Sequence, residues 1–327
     1  MNNNTINLCT YFDSNYLFQG IALYQSLCKH TDNRFILWIL CLDQRTYDTL
    51  NKLNLTQVLL IHMNDFESDD SKLKDTKFTR SKVEYYWTCT PGLPLYIFRN
   101  FAYVKEIIYV DADIYFFDSA QKIFDILNNG SILIIPHDYS VEYLAHKSAG
   151  KYNVGIMMFR SDENGLKCLN WWREKCIEWC YWRYEDDKIG DQAYLDDWLE
   201  RFNGVVVSQN FGINAAPWNI SKYLLGFDEY ANLLLSGERL ICYHFHNTHF
   251  CLSRFTFLCG YQVRLSQYIL SSIYKPYLKH LLVIENELLS FGINIKIPKS
   301  GIPWIYILRQ LIRKKTPKNF MWINKQS

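Results

Sequence analysis

The amino-acid sequence predicts an α/β fold, with a mostly parallel sheet flanked by helices and a helical, basic appendage at the C-terminus. Short apolar strands alternate with helix-like stretches from the N-terminus onward, which is typical of βαβ units. The charge is also unevenly distributed. From Arg264 onward the chain has 11 Lys and Arg and 2 Asp and Glu, whereas residues 1–263 have 24 Lys and Arg and 31 Asp and Glu. We therefore expect one compact domain over residues 1–261 and a basic, partly amphipathic extension over residues 262–327.

The predicted elements follow one another in a regular order. The stretches "TINLCTYF", "RFILWILCL", "VLLIHM" and "EIIYV" are apolar enough for strands, and "YLFQGIALYQSLCKH" and "RTYDTLNKLN" lie among them as helices. The charged stretch "ESDDSKLKDTK" is expected to be a loop, and "RSKVEYYWTCTPGLPLYIFRN" a helix interrupted near Pro91. The strand "EIIYV" then runs directly into Asp111.

The composition is that of a globular protein. Of the 327 residues, 49% are hydrophobic and 17% aromatic, which excludes disorder over the body of the chain. The ten cysteines form no C-x-x-C pair, and the polar N-terminus lacks the basic region and apolar core of a signal peptide. We therefore expect free thiols and a cytoplasmic location. No apolar run reaches the roughly 20 residues that a membrane-spanning helix needs.

Polar side chains follow two of the predicted strands, namely Asp13 and Asn15 after the first strand and Asp111 and Asp113 after "EIIYV". In an open α/β sheet, ligands bind beyond the carboxyl ends of the strands, so we expect both pairs in one crevice. If the strand continued, alternation would place Asp111 and Asp113 on the same side. Their carboxylates could then bind Mg²⁺ or Mn²⁺, which leave ligand positions open for phosphate. The alternative is that this Asp-x-Asp sequence is only a turn after a strand.

Three further motifs carry polar residues in apolar surroundings. "YNVGIMMF" contains Asn153, interpreted as a sugar-binding amide or an Asx turn, and Gly155, where the backbone passes close to a neighbour. "GDQAYLDDW" is typical of a helix start, with Asp191 as its N-cap or as a functional carboxylate. "YHFHNTHF" contains His244 and His246 among three closely spaced histidines, which favours a metal site over an isolated core histidine.

These five elements, in this order over residues 8–250, resemble the nucleotide-sugar glycosyltransferases with the GT-A fold. The resemblance is strongest to family 8, the glycogenin-like and lipopolysaccharide-galactosyltransferase-like group. It implies a Rossmann-like sheet and a divalent metal, Mn²⁺ or Mg²⁺, bound by Asp111, Asp113 and a histidine. It also implies donor contacts from Asp13 and Asn15 at the nucleoside, Asn153 and Gly155 near the donor sugar, Asp191 at the sugar hydroxyls and Gln192 near the anomeric carbon.

The sequence departs from the family pattern at two points. The family's His-Phe stretch continues through Gly toward Lys-Pro-Trp, whereas this chain reads HFHNTH, so either His244 or His246 is the expected metal ligand. A Tyr-Arg dipeptide is common before the Asp-x-Asp motif, whereas Trp87 stands there in this chain. Arg80 and Lys82, one to two helical turns earlier, are therefore the candidates for the missing positive charge near the phosphates.

The expected function is metal-dependent transfer of a sugar from a nucleoside diphosphate sugar, with UDP favoured, to a hydroxyl of a glycan or lipid-linked glycan. The resemblance implies retention of anomeric configuration and a place in bacterial surface glycan or lipopolysaccharide assembly. A sugar-1-phosphate nucleotidyltransferase is an alternative, but "TYFDSNYLFQG" lacks a glycine-rich basic loop at its start, and a phosphohydrolase needs more ligands for two metals. A non-catalytic nucleotide-sugar-binding protein is a further alternative, and no nucleic-acid partner is expected.

The segment "IPWIYILRQLIRKK" is predicted to form an amphipathic helix, because apolar residues recur in it at helical spacing between basic ones. Such a helix can lie on anionic lipid, which would hold the enzyme at the inner membrane face as a peripheral protein. The alternative is that its apolar stripe packs on the domain. The apolar positions are Trp304, Ile305, Leu308, Leu311 and Ile312, and the basic ones are Arg309, Arg313, Lys314 and Lys315.

Two aromatic features have competing explanations. Trp218, in the loop "NAAPWNI", is expected either to stack on an acceptor sugar or to lie in the core. Cys168, Cys176 and Cys180 recur at helical spacing among several tryptophans, including Trp182. We interpret this segment as a buried helix packed on the sheet rather than as a metal or redox site, because free cysteine behaves as a small hydrophobic residue.

Overall fold

The structure is a computed structural model that describes residues 5–32, 34–141, 143, 150–252, 254–260, 265–312 and 319–323. Its strands are β1 (Ile6–Phe12), β2 (Phe35–Cys41), β3 (Val58–His62), β4 (Glu106–Val110), β5 (Ile114–Phe116), β6 (Ile132–Pro136), β7 (Tyr152–Arg160), β8 (Val205–Val207), β9 (Leu225–Phe227), β10 (Leu233–Leu235), β11 (Glu238–Arg239), β12 (Cys242–His244), β13 (His249–Phe250), β14 (Phe255–Phe257) and β15 (Phe320–Trp322). Its α-helices are α1 (Leu17–His30), α2 (Gln44–Leu53), α3 (Met63–Asp69), α4 (Ser71–Asp75), α5 (Lys82–Cys89), α6 (Gly92–Asn100), α7 (Gln121–Leu127), α8 (Glu163–Glu178), α9 (Trp198–Arg201), α10 (Gln267–Ile269), α11 (Lys275–Ser290) and α12 (Trp304–Ile312). Turns of 3-10 helix lie at Thr76–Phe78, Ala193–Asp197 and Ile220–Lys222, and a π-helical turn at Leu270–Tyr274.

A seven-stranded sheet forms the centre of the fold, in the order β3-β2-β1-β4-β7-β6-β8. Within this sheet only β7 runs antiparallel to its neighbours, and the other pairs are parallel. Strands β4 and β6 are buried over nearly their whole length, as expected for a sheet covered on both faces. The predicted α/β fold with a mostly parallel sheet is therefore confirmed.

Two apolar cores cover the two faces of this sheet. Alternate residues of a strand point to opposite faces, so Ile108 of β4 lies in the first core and Tyr109 in the second. Helices α1 and α11 cover the first face, and α5, α6 and α8 cover the second. Because α8 buries Cys168 and Cys176 in the second core, the interpretation of its cysteines as packing residues is confirmed.

The chain turns sharply after β4, and this turn shapes the site. Ile114 N donates to Asp111 O at 3.1 Å, so the strand does not continue through the Asp-x-Asp segment and the condition for placing Asp111 and Asp113 by strand alternation is not met. Strand β5 then pairs antiparallel with β12, with His244 opposite Ile114. Phe245 N also donates to Asp113 O at 2.9 Å. The pairing of β5 with β12 thus brings distant parts of the chain together beyond the carboxyl end of β4.

The expectation of a loop over "ESDDSKLKDTK" is wrong, because most of this stretch lies in α3, α4 and the following 3-10 turn. The side chain of Asp70 caps α4 by accepting a hydrogen bond from Leu73 N, and it also pairs with the guanidinium of Arg173 on α8. Leu73 is the buried residue of α4. A short polar helix with a single buried leucine has no apolar periodicity, so the sequence pattern does not reveal it.

The C-terminal extension contains a packed part and an exposed part. Helix α11 contributes Tyr277 and Leu278 to the first core. Helix α12 leaves its apolar stripe exposed, with fractional exposures from 55% to 81%, so the alternative in which this stripe packs on the domain is wrong. No helix of the described residues has the length and apolarity required to cross a bilayer. The predicted boundary at residues 261 and 262 and the basic residues Arg313, Lys314 and Lys315 lie outside the described residues.

Candidate active site

Asp13, at the carboxyl end of β1, forms a polar group with Asn15 and Lys82. Its carboxylate accepts hydrogen bonds from Asn15 N at 3.0 Å and from Asn15 Nδ2 at 3.1 Å. Lys82 Nζ, at the start of α5, donates to Asp13 Oδ2 at 2.8 Å, and this hydrogen bond raises the pKa of Lys82. The aspartate is buried, whereas Asn15 and Lys82 are exposed. A ligand entering the crevice would therefore meet the amide and the ammonium group first.

Arg80, the other cation predicted near the phosphates, lies against the C-terminal end of α8. Its guanidinium donates to Cys176 O at 2.7 Å and to Ile177 O at 2.6 Å. A positive charge at this end of a helix complements the helix dipole. The structure thus places Lys82, and not Arg80, against Asp13.

Four side chains form what we call the acidic–histidine cluster: Asp111, Asp113, His244 and His246. The ligand atoms of Asp113, His244 and His246 all lie within 4.8 Å of one another. Asp113 Oδ1 lies 3.1 Å from His244 Nε2, and Asp111 Oδ2 lies 3.8 Å from the same nitrogen. Carboxylate and imidazole groups at this spacing suit a divalent metal ion. The structure therefore brings both candidate histidines to Asp113, and His244 also to Asp111.

Tyr109 fixes one oxygen of Asp111. Its hydroxyl donates to Asp111 Oδ1 at 2.8 Å, which leaves the other oxygen as the one near His244. The ring of Tyr11, on the adjacent strand β1, lies 5.9 Å from the ring of Tyr109. Tyr109 was not predicted from the sequence, because a tyrosine in an apolar strand has the ordinary pattern of a core residue.

A second group, which we call the amide cluster, consists of His137, Asn153, Gln192 and Asn214. Asn153 Nδ2 donates to Gln192 Oε1 at 3.0 Å and lies 3.2 Å from His137 Nε2. Asn153 Oδ1 accepts hydrogen bonds from Gly155 N and from Asn214 Nδ2, each at 3.0 Å. Both polar atoms of the Asn153 side chain are thus satisfied within the protein, and the bond from Gly155 N is the predicted Asx turn.

The amide cluster determines which nitrogen of neutral His244 carries the proton. Gly155 N can only donate, so the atom of Asn153 that it meets is the oxygen, and this oxygen in turn meets the amide nitrogen of Asn214. The oxygen of Asn214 therefore faces His244 Nδ1, at 3.3 Å, and this nitrogen must be the donor. His244 Nε2 keeps its lone pair on the side of Asp113, as a metal-ligating histidine requires.

Gly155 allows β7 to lie directly against His244. A Cβ atom at this position would lie 2.8 Å from the His244 ring and 2.6 Å from Asn153 Oδ1. Gly155 O also accepts a hydrogen bond from Asp111 N at 2.9 Å. Any larger residue would displace the histidine from the aspartates, so Gly155 acts on the site through close packing.

Asp191 and Gln192 precede the 3-10 turn Ala193–Asp197. No side chain caps this turn, so the expectation of Asp191 as an N-cap is wrong. Burial raises the pKa of Asp191 to about 7, and its Oδ2 has no hydrogen-bond partner within the described part of the chain. Gln192 Oε1 accepts from Asn153 Nδ2 and from Val154 N, which fixes its orientation. A buried carboxylate oxygen without a partner is costly, so this position favours a ligand that donates a hydrogen bond.

The sequence and the fold both match known proteins. The family model of Glycosyl transferase family 8 matches residues 7–198. The chain belongs to glycosyl transferase family 8. It is similar to two proteins of Bacillus subtilis (strain 168), the uncharacterized proteins YfnF and YfnD. It is 31% identical to YfnF over 244 residues, which cover 72% of this chain and 80% of the relative. It is 27% identical to YfnD over 305 residues, which cover 91% of this chain and 97% of the relative.

A solved structure of the galactosyltransferase LgtC in complex with donor and acceptor sugar analogs resembles this family 8 chain. The TM-score is 0.54 at 14% identity, and the match covers 88% of this chain and 100% of LgtC. The similarity shows a shared fold, which is the GT-A fold of glycosyltransferases. Family and fold together make this chain a glycosyltransferase.

In this family 8 chain, burial and neighbouring charges together shift the pKa values of the acidic–histidine cluster. Burial raises the pKa of Asp111. Burial acts in the same direction on Asp113, but the adjacent His244 outweighs it and keeps the pKa of Asp113 below its ordinary value. Burial would lower the pKa of His244, but Asp113 outweighs burial and raises it. Burial, and then the charge of His244, lower the pKa of His246 to about 4. Such opposed shifts within one crevice are typical of functional sites.

The loop "NAAPWNI" supports the family 8 site from the core. Trp218 is only 2% exposed, and its ring lies 5.2 Å from the ring of His244 and 5.7 Å from that of His246. The expectation that Trp218 stacks on a sugar is therefore wrong, and its alternative as a core residue is confirmed. Asn214 in this loop was not predicted as a site residue. Its φ of 58° is a conformation that asparagine adopts more readily than most residues, but the sequence alone does not show this angle.

Proposed function

We propose that this glycosyltransferase moves a sugar from a nucleoside diphosphate sugar, with UDP favoured, to an acceptor hydroxyl, and that it requires Mn²⁺ or Mg²⁺. The main support for this proposal is that the ligand atoms of Asp113, His244 and His246 lie within 4.8 Å of one another. These residues lie beyond the carboxyl end of β4, which is where open α/β sheets bind ligands.

The donor set of the acidic–histidine cluster fits a divalent ion. Asn214 holds the proton of neutral His244 on Nδ1, so Nε2 can act as a ligand beside the Asp113 carboxylate. Imidazole is a softer ligand than carboxylate, so the set favours Mn²⁺ over Mg²⁺. When bound, such an ion neutralises the negative charge that develops on the departing diphosphate.

The group formed by Asp13, Asn15 and Lys82 is proposed to receive the nucleotide. Asn15 offers an exposed amide to a pyrimidine edge or to the ribose, and Lys82 offers an exposed ammonium group to a phosphate. Asp13 is buried beneath them and holds both side chains in place through its carboxylate. Arg80 has its guanidinium on the end of α8, so we propose that it acts on the crevice only by fixing α8.

Asp191 and Gln192 are proposed to contact the donor sugar. The Oδ2 of Asp191, which has no hydrogen-bond partner among the described residues, can accept a hydrogen bond from a sugar hydroxyl. Gln192 is held by Asn153 and Val154, so its amide is already oriented before a donor binds. The proposal includes retention of anomeric configuration, for which the support is membership of family 8.

A thermal-shift panel tests this function. The protein is heated with UDP, GDP, ADP and the common UDP-sugars, each in Mn²⁺ and in EDTA. A ligand that binds only the folded state stabilises it by mass action, by about 2.7 kcal/mol at 100 times its dissociation constant. We expect the midpoint to rise only when UDP or a UDP-sugar is combined with Mn²⁺. The absence of a metal-dependent shift with every nucleotide would contradict the proposal.

A glycan or lipid-linked glycan of the bacterial surface, including lipopolysaccharide, is the proposed acceptor class, reached at the cytoplasmic face of the membrane. The support is α12, whose exposed apolar stripe includes Trp304, Ile305 and Leu308. Residues from Arg264 onward carry 11 Lys and Arg against 2 Asp and Glu, so this stripe lies in a part of the sequence that anionic lipid attracts.

Vesicle sedimentation tests the membrane contact. We expect the full chain to sediment with phosphatidylglycerol vesicles much more than with phosphatidylcholine vesicles. Combining Trp304→Ala with Leu308→Ala should weaken this binding about tenfold, because apolar area is lost from the lipid-facing stripe. The matched control combines Leu224→Ala with Trp322→Ala, which are also exposed apolar residues but lie outside α12. Equal binding by both double variants would remove α12 from the proposal.

A further inference from the structure

Trp182 is a large apolar side chain exposed beside the candidate active site. It lies in the loop after α8, and 70% of its surface is exposed. One face of its indole stacks on Trp87 of α5, with ring centroids 4.8 Å apart and ring planes 21° from parallel. The surface that remains exposed therefore includes the opposite face of the indole. The segment interpreted as a helix packed on the sheet is thus followed by an exposed aromatic surface.

The loop holds this indole in a fixed position. Trp182 N donates to Glu84 Oε1 at 2.8 Å, which ties the loop to α5. Gly190 N donates to Tyr181 O at 3.0 Å, which closes the base of the loop. A preorganised aromatic side chain loses little conformational entropy when a ligand binds to it, so this arrangement suits recognition.

The stacked indoles adjoin the segment proposed to hold the donor sugar. Gly190 has a φ of +54°, and a Cβ at this position would lie 3.2 Å from the Trp87 ring. Asp191 follows directly, and its carboxylate is buried near the hydroxyl of Thr90, the residue after α5. One end of α5 contributes Lys82 to the nucleotide group, and the other end carries Trp87. Trp87 thus contacts the residue that precedes Asp191, and Trp182 stacks on Trp87.

We propose that the exposed face of Trp182 binds a pyranose ring of the acceptor glycan, one or more sugar units away from the hydroxyl that reacts. This inference rests on the proposed function. The C–H groups of a pyranose pack well on the electron-rich face of an indole, whereas its hydroxyl groups need polar partners around the ring. The same loop supplies exposed polar side chains, among them Arg183, Tyr184 and Glu185. A flat aromatic face with a polar rim, next to the transfer site, matches an oligosaccharide better than an apolar ligand.

We call the exposed face of Trp182 the sugar-binding platform. Nuclear magnetic resonance of the indole N–H groups tests this platform. The full chain is labelled with ¹⁵N-tryptophan, the Trp182 signal is assigned from Trp182→Ala, and lactose, maltose and cellobiose are titrated in turn. We expect the Trp182 signal to shift with at least one disaccharide, and the affinity to fall about tenfold in Trp182→Ala. Trp182→Phe, which keeps an aromatic face, should retain part of the affinity.

The control is Trp322→Ala, which removes an indole that is 58% exposed elsewhere on the chain. This variant should bind the disaccharides as the wild type does. If no disaccharide shifts the Trp182 signal, or if Trp182→Ala binds them with unchanged affinity, the platform is overturned. The metal-dependent midpoint shift with UDP is measured on the same wild-type protein. Loss of that shift counts against the proposed function, and loss of the disaccharide response counts against the platform.

Discussion

The acidic–histidine cluster and the amide cluster lie side by side, yet they meet their polar requirements differently. Each polar atom of the Asn153 side chain bonds another group of the protein, so this central amide is satisfied as folded. The ligand atoms of Asp113, His244 and His246 instead lie within 4.8 Å of one another, and the pKa of His244 is raised whereas that of His246 is lowered. The central amide of one cluster is fully paired, whereas the other cluster is arranged for a further charged partner.

Asn214 belongs to the first cluster and acts on the second. Its amide nitrogen bonds Asn153, and its amide oxygen faces His244 Nδ1. The amide cluster thus orients a ligand of the acidic–histidine cluster, which is the role of outer-shell groups at metal sites. Stability and metal binding should therefore respond to different substitutions, except at Asn214, where both should respond.

The largest effect is expected at Asp113. Asp113→Ala removes a carboxylate from the proposed metal site, so metal-dependent transfer should fall about a thousandfold. At a pH at which His244 is neutral, the thermal midpoint in EDTA should change little, because the Asp113 carboxylate, 3.1 Å from the imidazole, stabilises the protonated form of that histidine. Transfer assays with a UDP-sugar and melting in EDTA measure the two effects. Asp125→Ala, at an exposed carboxylate on α7, is the control and should change neither. A large loss of midpoint in EDTA would show that Asp113 is a structural residue.

Asn214→Gly should affect both clusters. Glycine tolerates the positive φ of this position, so the substitution isolates the loss of the side chain. We expect Mn²⁺ affinity to fall about tenfold to a hundredfold, because His244 loses the group that orients it. The free energy of unfolding should also fall by about 1–3 kcal/mol, because Asn153 Oδ1 loses a buried partner. Calorimetric Mn²⁺ titration and denaturant unfolding in EDTA measure these effects. Unchanged Mn²⁺ affinity would show that the amide cluster does not act on metal binding.

In the absence of metal, His137 of the amide cluster should make the stability of the protein depend on pH. Burial lowers the pKa of His137 from 6.5 to about 3, so the folded state keeps this histidine neutral where the unfolded state binds a proton. Its contribution is fully present above about pH 6.5 and is lost as the pH falls toward 3. In EDTA, the unfolding free energy of the wild type should therefore fall between pH 6.5 and pH 4.5. In His137→Gln this fall should be smaller by about 1–3 kcal/mol. Parallel pH profiles of the two proteins would contradict this assignment.

The smallest effect is expected at Tyr109. Tyr109→Phe removes the hydroxyl that donates to Asp111 Oδ1 but keeps the ring in the second core. Because Asp111 loses orientation rather than charge, Mn²⁺ affinity should fall only about threefold to tenfold. The Mn²⁺ titration used for Asn214→Gly measures it. A loss as large as that of Asp113→Ala would mean that Tyr109 contacts the ligand itself.

The fold and the main polar motifs could be predicted from the sequence. The alternating apolar strands predicted the parallel sheet, and Asp13 and Asp111 indicated its ligand-binding edge because both follow neighbouring strands. Sequence spacing could not show the turn after Asp111, because a strand and a turn share the same short Asp-x-Asp pattern. Nor could it show that β5 pairs with β12, because this pairing depends on contacts between residues far apart in the chain.

The residues that support the site were harder to predict. Asn214 and Tyr109 act through single hydrogen bonds that depend on three-dimensional position, and neither lies in a motif with a characteristic spacing. The exposure of two tryptophans could not be predicted for the same reason. Trp218 sits in a polar loop but is buried, whereas Trp182 follows a buried helix but is exposed. Local sequence does not determine which side of a loop faces the core.

The pairing of β5 with β12 also has a consequence for how the enzyme is made. The ribosome synthesises Asp113 well before His244 and His246. Both histidines lie beyond residues 7–198, the part of the chain that matches the family model. The segment that carries the two histidines packs in turn on α11, where Phe245 stacks on Tyr277 with ring centroids 3.7 Å apart. We therefore expect nascent chains that lack α11 to be inactive toward nucleotide sugars, since the site is complete only once this helix has been made.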